Sequence, residues 1–181
     1  MTVNQIYIRL LLLGALFGPL LWFLFSDEGQ RISDTFLLKL GGTPEVQLDY
    51  RTLNADISEK EFVKGMGEAE FQCGDQQSQF GDRLCYAALA AVNGTPSQYM
   101  SVFFKSDNLT AIKLAYQRSY HEQLHGSLIR NLGEPMSGAN TAVPDAERIQ
   151  QWQAGNGVVL LSGETLAEDE EPVLLWLAYS N

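Results

Sequence analysis

The sequence predicts an α+β fold, in which one N-terminal transmembrane helix is followed by a two-layer domain of antiparallel sheet with helices on one face. Three observations lead to this prediction. An apolar run fills residues 10–25, short β-branched and aromatic segments are joined by hairpin-like turns, and two stretches carry helix start and stop signals. The expected boundaries are a transmembrane anchor at 1–26, a tether able to form a short helix at 27–44, and a folded domain at 45–181.

The beginning of the chain differs in composition from the rest. All 22 carboxylates lie at or after Asp27, and Arg9 is the only charged side chain before it. With the apolar residues before Arg9, the run reaches about twenty residues, which at ~1.5 Å of rise each match a hydrocarbon layer of ~30 Å. Tyr7 and Trp22 could anchor the two ends at the interfaces, and Pro19 is better tolerated in a membrane span than in an exposed helix. We expect an uncleaved anchor rather than a signal peptide or a core helix, because the residues after Trp22 are too bulky for a cleavage site.

Two cysteines indicate the compartment. Cys73 and Cys85 enclose a polar stretch with two glycines, which is typical of a loop whose ends can meet. A disulfide there would stabilise the fold by ~3 kcal/mol; the alternative is two unrelated thiols in a cytoplasmic protein. Charges on the two sides of the apolar run are nearly balanced, so the cysteines decide the orientation. We expect a single-pass protein of the bacterial inner membrane, with its N-terminus cytoplasmic and its domain periplasmic.

The first elements of the domain are short. Residues 46–50 alternate between apolar and polar side chains, as an edge strand would. Ser58 and Glu61 have the spacing of a capping box, in which each side chain accepts a hydrogen bond from a free N–H near the other. We therefore expect a helix that runs from there to about Gly65.

The second half of the domain is expected to consist mainly of hairpins. Residues 86–92 predict a core strand that Asn93 and Gly94 end with a turn. The remaining elements are a strand at 99–104, a turn at 105–108, a strand to Tyr116, a helix at 119–132 ended by Gly133, a hairpin at 150–161 and a strand at 173–179. A continuous helix from Leu109 to Leu132 is the alternative, because apolar residues recur there at a spacing of four.

Charge excludes one class of partner. The chain of 181 residues has 12 Lys and Arg against 22 Asp and Glu, a formal net charge of −10, and no basic cluster. Nucleic acid is therefore not an expected partner, because its binding depends on basic surfaces. Contact with the lipid bilayer is expected through the one helix.

One motif suggests chemistry. Residues 121–125 fit H-E-x-x-H, which over these five positions resembles the zinc metalloproteases. The resemblance implies His121 and His125 as ligands on one helix face and Glu122 as the base, with Glu147 as the third ligand because no third histidine exists. The alternative is structural: Ser119 and Glu122 would form a capping box at the start of the helix, and the motif would be a chance match.

The preferred functional hypothesis is non-enzymatic. No other catalytic motif is present, and no cofactor is implied. We expect an accessory, scaffold or assembly subunit that binds a membrane protein complex or another envelope protein, with Tyr99, Phe103 and Trp176 as candidate contacts. The alternatives are a membrane-tethered zinc hydrolase and a module that binds a small ligand or lipid.

Overall fold

One β-sheet dominates the structure, and successive side chains along its strands point to opposite faces. The computed structural model describes residues 43–136, 149–163, 166 and 171–179, together with Phe17. Of these residues, 47% lie in strands and 22% in helices. The strands are β1 (Glu45–Val46), β2 (Gln72–Ser78), β3 (Gly81–Ala88), β4 (Ala91–Val92), β5 (Thr95–Lys105), β6 (Asn108–Tyr116), β7 (Ile149–Gln153), β8 (Gly157–Ser162) and β9 (Val173–Ala178). The helices are α1 (Glu59–Gly65) and α2 (His121–Leu132), with short 3-10 turns at Tyr50–Thr52 and Arg118–Tyr120.

The strand order places β5, β6 and β9 in the middle of the sheet. The order is β1-β4-β5-β6-β9-β8-β7, and β3 pairs on one side with β5 and on the other with β2. All pairs are antiparallel except β1 with β4. Among the described strands β2 pairs only with β3, so β2 is an edge of the sheet.

The main core lies against one face of the sheet. On β9, Leu174 and Trp176 belong to this core, whereas Leu175 between them points to the other face. Trp176 is fully buried, and its indole N–H donates to the carbonyl of Ala154 at 2.9 Å. Leu124 and Leu128 of α2 are buried in the same core, so the helix packs on this face.

The predicted capping box at α1 is confirmed. The N–H of Glu61 donates to Ser58 Oγ, and the Glu61 carboxylate accepts from the Ser58 hydroxyl at 2.8 Å and from its N–H at 3.2 Å. These hydrogen bonds from Ser58 lower the pKa of Glu61. The helix places Phe62 in the core, with its ring 6.2 Å from that of Phe104 and 6.0 Å from that of Phe71.

The predicted capping box at α2 is wrong. The helix begins at His121, its N-cap is Tyr120, and no side chain caps it. The 3-10 turn before the helix delays the helical start by two residues relative to the predicted start at 119. The predicted end is confirmed, because Gly133 takes a φ of 89°, which favours glycine.

The hairpins are confirmed, and the long-helix alternative for 109–132 is wrong. Ser106 and Asp107 have φ values of 53° and 67° and close the turn between β5 and β6. Asn93 and Gly94 close a second turn with φ values of 51° and 74°. The predicted strand at 46–50 is reduced to β1, because Asp49 accepts a hydrogen bond from the N–H of Arg51 and starts a 3-10 turn instead.

The fold-class prediction is wrong. The described chain is mostly β-sheet with two short helices, not a two-layer α+β domain after a transmembrane helix. The difference arises largely from β2 and the first half of β3, because the polar residues between the two cysteines predicted a loop. No helix within the described ranges has the length and apolarity that a membrane crossing requires. The predicted anchor at 1–26 and tether at 27–44 lie outside the described residues, except for Phe17, Thr43 and Pro44.

Two glycines of the β2–β3 hairpin test this packing. A Cβ on Gly81 would lie 2.2 Å from the carbonyl oxygen of Phe104, whereas a Cβ on Gly74 would meet no atom within 4 Å. We expect Gly81→Ala to lower the free energy of unfolding by about 1–3 kcal/mol, because backbone atoms must move. The control Gly74→Ala should change it by less than about 0.5 kcal/mol. Urea unfolding measures both, and equal effects would contradict the described packing.

Candidate functional site

His121 lies at the first residue of α2 and is buried. Its Nε2 donates to the carbonyl of Gly163 at 2.6 Å, and the hydroxyl of Tyr116 donates to its Nδ1 at 2.6 Å. Since a carbonyl can only accept, Nε2 carries the hydrogen and Nδ1 supplies the lone pair to Tyr116. Neither nitrogen is left to bind a metal ion unless one of these bonds breaks.

The other members of the motif are not arranged around a common point. Nε2 of His125 donates to Gln150 Oε1, and its ring packs edge-on against Trp152 at 5.8 Å. Glu122 is exposed, and Glu147 lies outside the described residues. In the described ranges the one metal-compatible cluster of three consists of Glu59 and the two cysteines, which are bonded to each other. The histidine geometry does not fit a zinc site, and the two rings instead join α2 to the sheet.

The predicted disulfide is confirmed. Cys73 on β2 and Cys85 on β3 lie directly opposite each other and are bonded, with their Cα atoms 4.0 Å apart. Cys85 is fully buried, whereas Cys73 is partly exposed. The bond therefore connects the edge strand to the core.

An ion-pair network lies beside the disulfide. Arg83 donates to both carboxylate oxygens of Glu59 and to Asp75 at 2.9 Å. These two partners, Glu59 first, raise the pKa of Arg83. The sequence offered no signal for this network, because its members lie 24 and 8 positions apart.

The three predicted contact aromatics have different environments. Trp176 is fully buried in the main core, and Phe103 is 8% exposed with its ring 5.1 Å from that of Phe80. Tyr99 is partly exposed on the opposite face of the sheet from Trp176. Of the three, only Tyr99 has a substantial surface available to a partner.

Tyr99 belongs to a ring pair that the sequence analysis did not identify. Tyr86 is 42% exposed, and the two rings lie 5.5 Å apart at 35°. The hydroxyl of Tyr99 donates to Glu171 at 3.2 Å, and Lys113 forms an ion pair with the same carboxylate at 3.2 Å. The hydrogen bond to Glu171 therefore fixes the Tyr99 ring, and the Tyr86 ring packs against it.

Aliphatic side chains continue this surface across β9 and β8. They alternate with core residues along each strand and are all partly exposed. With the two tyrosines they define what we call the outer face: Tyr86, Tyr99, Val158, Leu160, Val173, Leu175 and Leu177. The signal in the sequence was the continuous apolar runs at 158–161 and 173–177, which are typical of strands apolar on both faces.

The four predicted anchor residues, Tyr7, Arg9, Pro19 and Trp22, lie outside the described residues. Their role as membrane anchors stays a prediction from the sequence.

No family model matches the chain, and no curated protein or solved structure is significantly similar to it. The fold and the side-chain geometry are the observations from which a function can be inferred.

A substitution at His121 tests the structural interpretation of the motif. We expect His121→Ala to lower the free energy of unfolding by about 2–3 kcal/mol, because one buried and one partly buried hydrogen bond are lost and a cavity forms. Gln123→Ala, at an exposed position of the same helix, is the control and should have little effect. A chelator should leave the Tm of the wild-type chain unchanged. A Tm that falls on chelation would contradict this interpretation and favour the zinc hydrolase.

Proposed function

We propose that the chain is a non-catalytic accessory, scaffold or assembly subunit that binds another envelope protein through the outer face of its sheet. The observation that carries this proposal is the apolar composition of the outer face. The main core occupies the opposite face, so these side chains are not needed to complete it. A sheet that is apolar on both faces is normally covered on both.

The composition of the outer face is that of a protein contact. Tyrosine is enriched at interfaces because its ring is apolar and its hydroxyl can stay hydrogen-bonded. The hydroxyl of Tyr99 already has Glu171 as its partner, so the ring can be covered without leaving a polar group unsatisfied. Tyr86 has 42% of its surface exposed, so it is the residue of the outer face that we expect to act as a binding hot spot.

Charge favours a different protein over a second copy. The charged residues Lys113 and Glu171, which lie beside Tyr99 of the outer face, neutralise each other, so the outer face favours an apolar partner. The whole chain has a net charge of −10, and a second copy would bring the same charge. A partner with a neutral or basic rim around an apolar patch avoids this repulsion.

The disulfide supports an extracytoplasmic location, because such bonds persist in oxidising compartments. The bacterial periplasm is the compartment that we propose. Attachment to the inner membrane, with contact to the lipid bilayer through one helix, rests on the composition of residues 1–26 alone.

Site-specific photocrosslinking of the full chain in its native cells tests this function. A photoreactive residue at Tyr86 should give one discrete crosslinked protein, because this position is the most exposed of the outer face. The same residue at Gln123 on α2 is the control and should not give that product. Leu175→Ser should reduce the product at least tenfold without lowering the Tm by more than a few degrees.

Two results would contradict the proposal. A crosslinked homodimer would replace the heterologous partner with a second copy. The absence of a product at Tyr86, Leu160 and Leu177 alike would remove the outer face as a contact surface.

A further inference from the structure

A groove lies beside the disulfide. It has a volume of about 740 Å³ and runs between α1 and the start of β2. Val63 and Phe71 provide apolar walls, Lys60 and Lys64 provide two cations, and Cys73 forms part of the lining. The groove therefore runs along Cys73, one of the two bonded cysteines.

The acidic groups of the groove are already engaged. Glu59 is paired with Arg83, and Asp107 accepts a hydrogen bond from the N–H of Glu59 at 3.1 Å. No ion pair of Lys60 or Lys64 is present within the described chain. Because Arg83 neutralises Glu59 and Asp107 offsets one lysine, the lining keeps one excess positive charge, which favours an anion such as a thiolate.

The two sulfur atoms differ in access. Cys85 has no exposed surface, whereas Cys73 is partly exposed and lines the groove. In thiol–disulfide exchange the attacked sulfur is the one that the incoming thiolate can reach. This asymmetry makes Cys73 the point of attack and Cys85 the leaving thiol.

Besides the disulfide, β2 is held to β3 by backbone pairing that is regular only over residues 72–75, and few side-chain contacts support it. All its side chains are exposed except that of Cys73, and the ion pair of Asp75 with Arg83 leaves 92% of the Asp75 side chain exposed. An exposed ion pair of this kind adds little stability. At the two ends of the strand Phe71 packs on Phe62 and Phe80 packs on Phe103, so the chain is fixed on either side. Loss of the disulfide should free the strand locally while the rest of the sheet stays folded.

We propose that Cys73 is a thiol-exchange site, at which a dithiol reductant that docks in the groove opens the disulfide and releases β2 from β3. The thiolate of the reductant attacks Sγ of Cys73 and forms a mixed disulfide, while the bond to Cys85 breaks and Cys85 takes up a proton. The second thiol of the reductant then attacks the reductant sulfur that is bonded to Cys73. A disulfide forms within the reductant, and Cys73 leaves and takes up a proton. The reductant is oxidised by two electrons, and both cysteines become thiols.

Release of β2 exposes the edge of β3, including the position of Tyr86, which pairs with Gln72. The proposal does not depend on the partner at the outer face, because it concerns the disulfide and the groove alone.

Hydrogen exchange of the full chain tests the release. Treatment with dithiothreitol in native buffer should reduce the bond without denaturant. Amides of β2, and those of β3 that pair with it, should then exchange about 100-fold faster, which is the change expected on removal of a cross-link of this loop length. Amides of β6 and β9 accelerate only through the loss of global stability, so they should still exchange more slowly than those of β2. Equal exchange rates across the whole sheet, or no acceleration in β2, would overturn the proposal.

The point of attack is tested with glutathione, an anionic monothiol. Peptide mapping should place the mixed disulfide on Cys73, and its presence on Cys85 would overturn the assignment. The double variant Lys60→Glu/Lys64→Glu should form the mixed disulfide at least threefold more slowly. Arg130→Glu, an exposed cation of α2, is the matched control and should not change the rate. Equal rates in all three proteins would show that the groove does not guide the thiolate.

Discussion

The central strands of this protein have apolar side chains on both faces, and the two helices cover one face. Along β6, Ile112 and Leu114 contribute to the main core, while Ala111 and Ala115 are buried on the other side. Along β9 the same alternation leaves Leu175 partly exposed beside a buried tryptophan. Two-sided burial is the condition under which a sheet can support a core and a contact surface with the same strands. The architecture, the outer face and the proposed function all follow from it.

Much of the described fold could be predicted where local physics decides the structure. The capping box of Ser58 depends on residues three positions apart, and the turn at Asn93 depends on two adjacent residues. Such signals are complete within a short stretch of sequence. Ser119, like Ser58, is followed by a glutamate three positions later. The strand before Ser119 leads into a 3-10 turn, however, so the helix begins two residues later. Tertiary context, which the sequence pattern does not contain, determined that difference.

The candidate sites show the same division. The disulfide could be predicted because a short polar stretch with two glycines between two cysteines can turn back on itself, as the β2–β3 hairpin does. The histidine motif could not be judged from its spacing, because the partners of His121 are Tyr116 and the distant carbonyl of Gly163. The tyrosine pair of the outer face was also hidden, since Tyr86 and Tyr99 become neighbours only when β3 and β5 pair.

The polar composition of β2 has a consequence for how this protein behaves in a crowded compartment. An edge strand with free backbone groups is a template onto which strands of other molecules can add, and continued addition leads to aggregates. β2 carries glutamines, an aspartate and a glycine, and its register with β3 is interrupted between Asp75 and Ser78. Hydrophilic side chains and an irregular backbone are the devices by which natural sheets prevent such growth. The least apolar strand of the sheet thus serves as a barrier against self-association, and a mutation to β-branched apolar residues there would endanger solubility before it affected the fold.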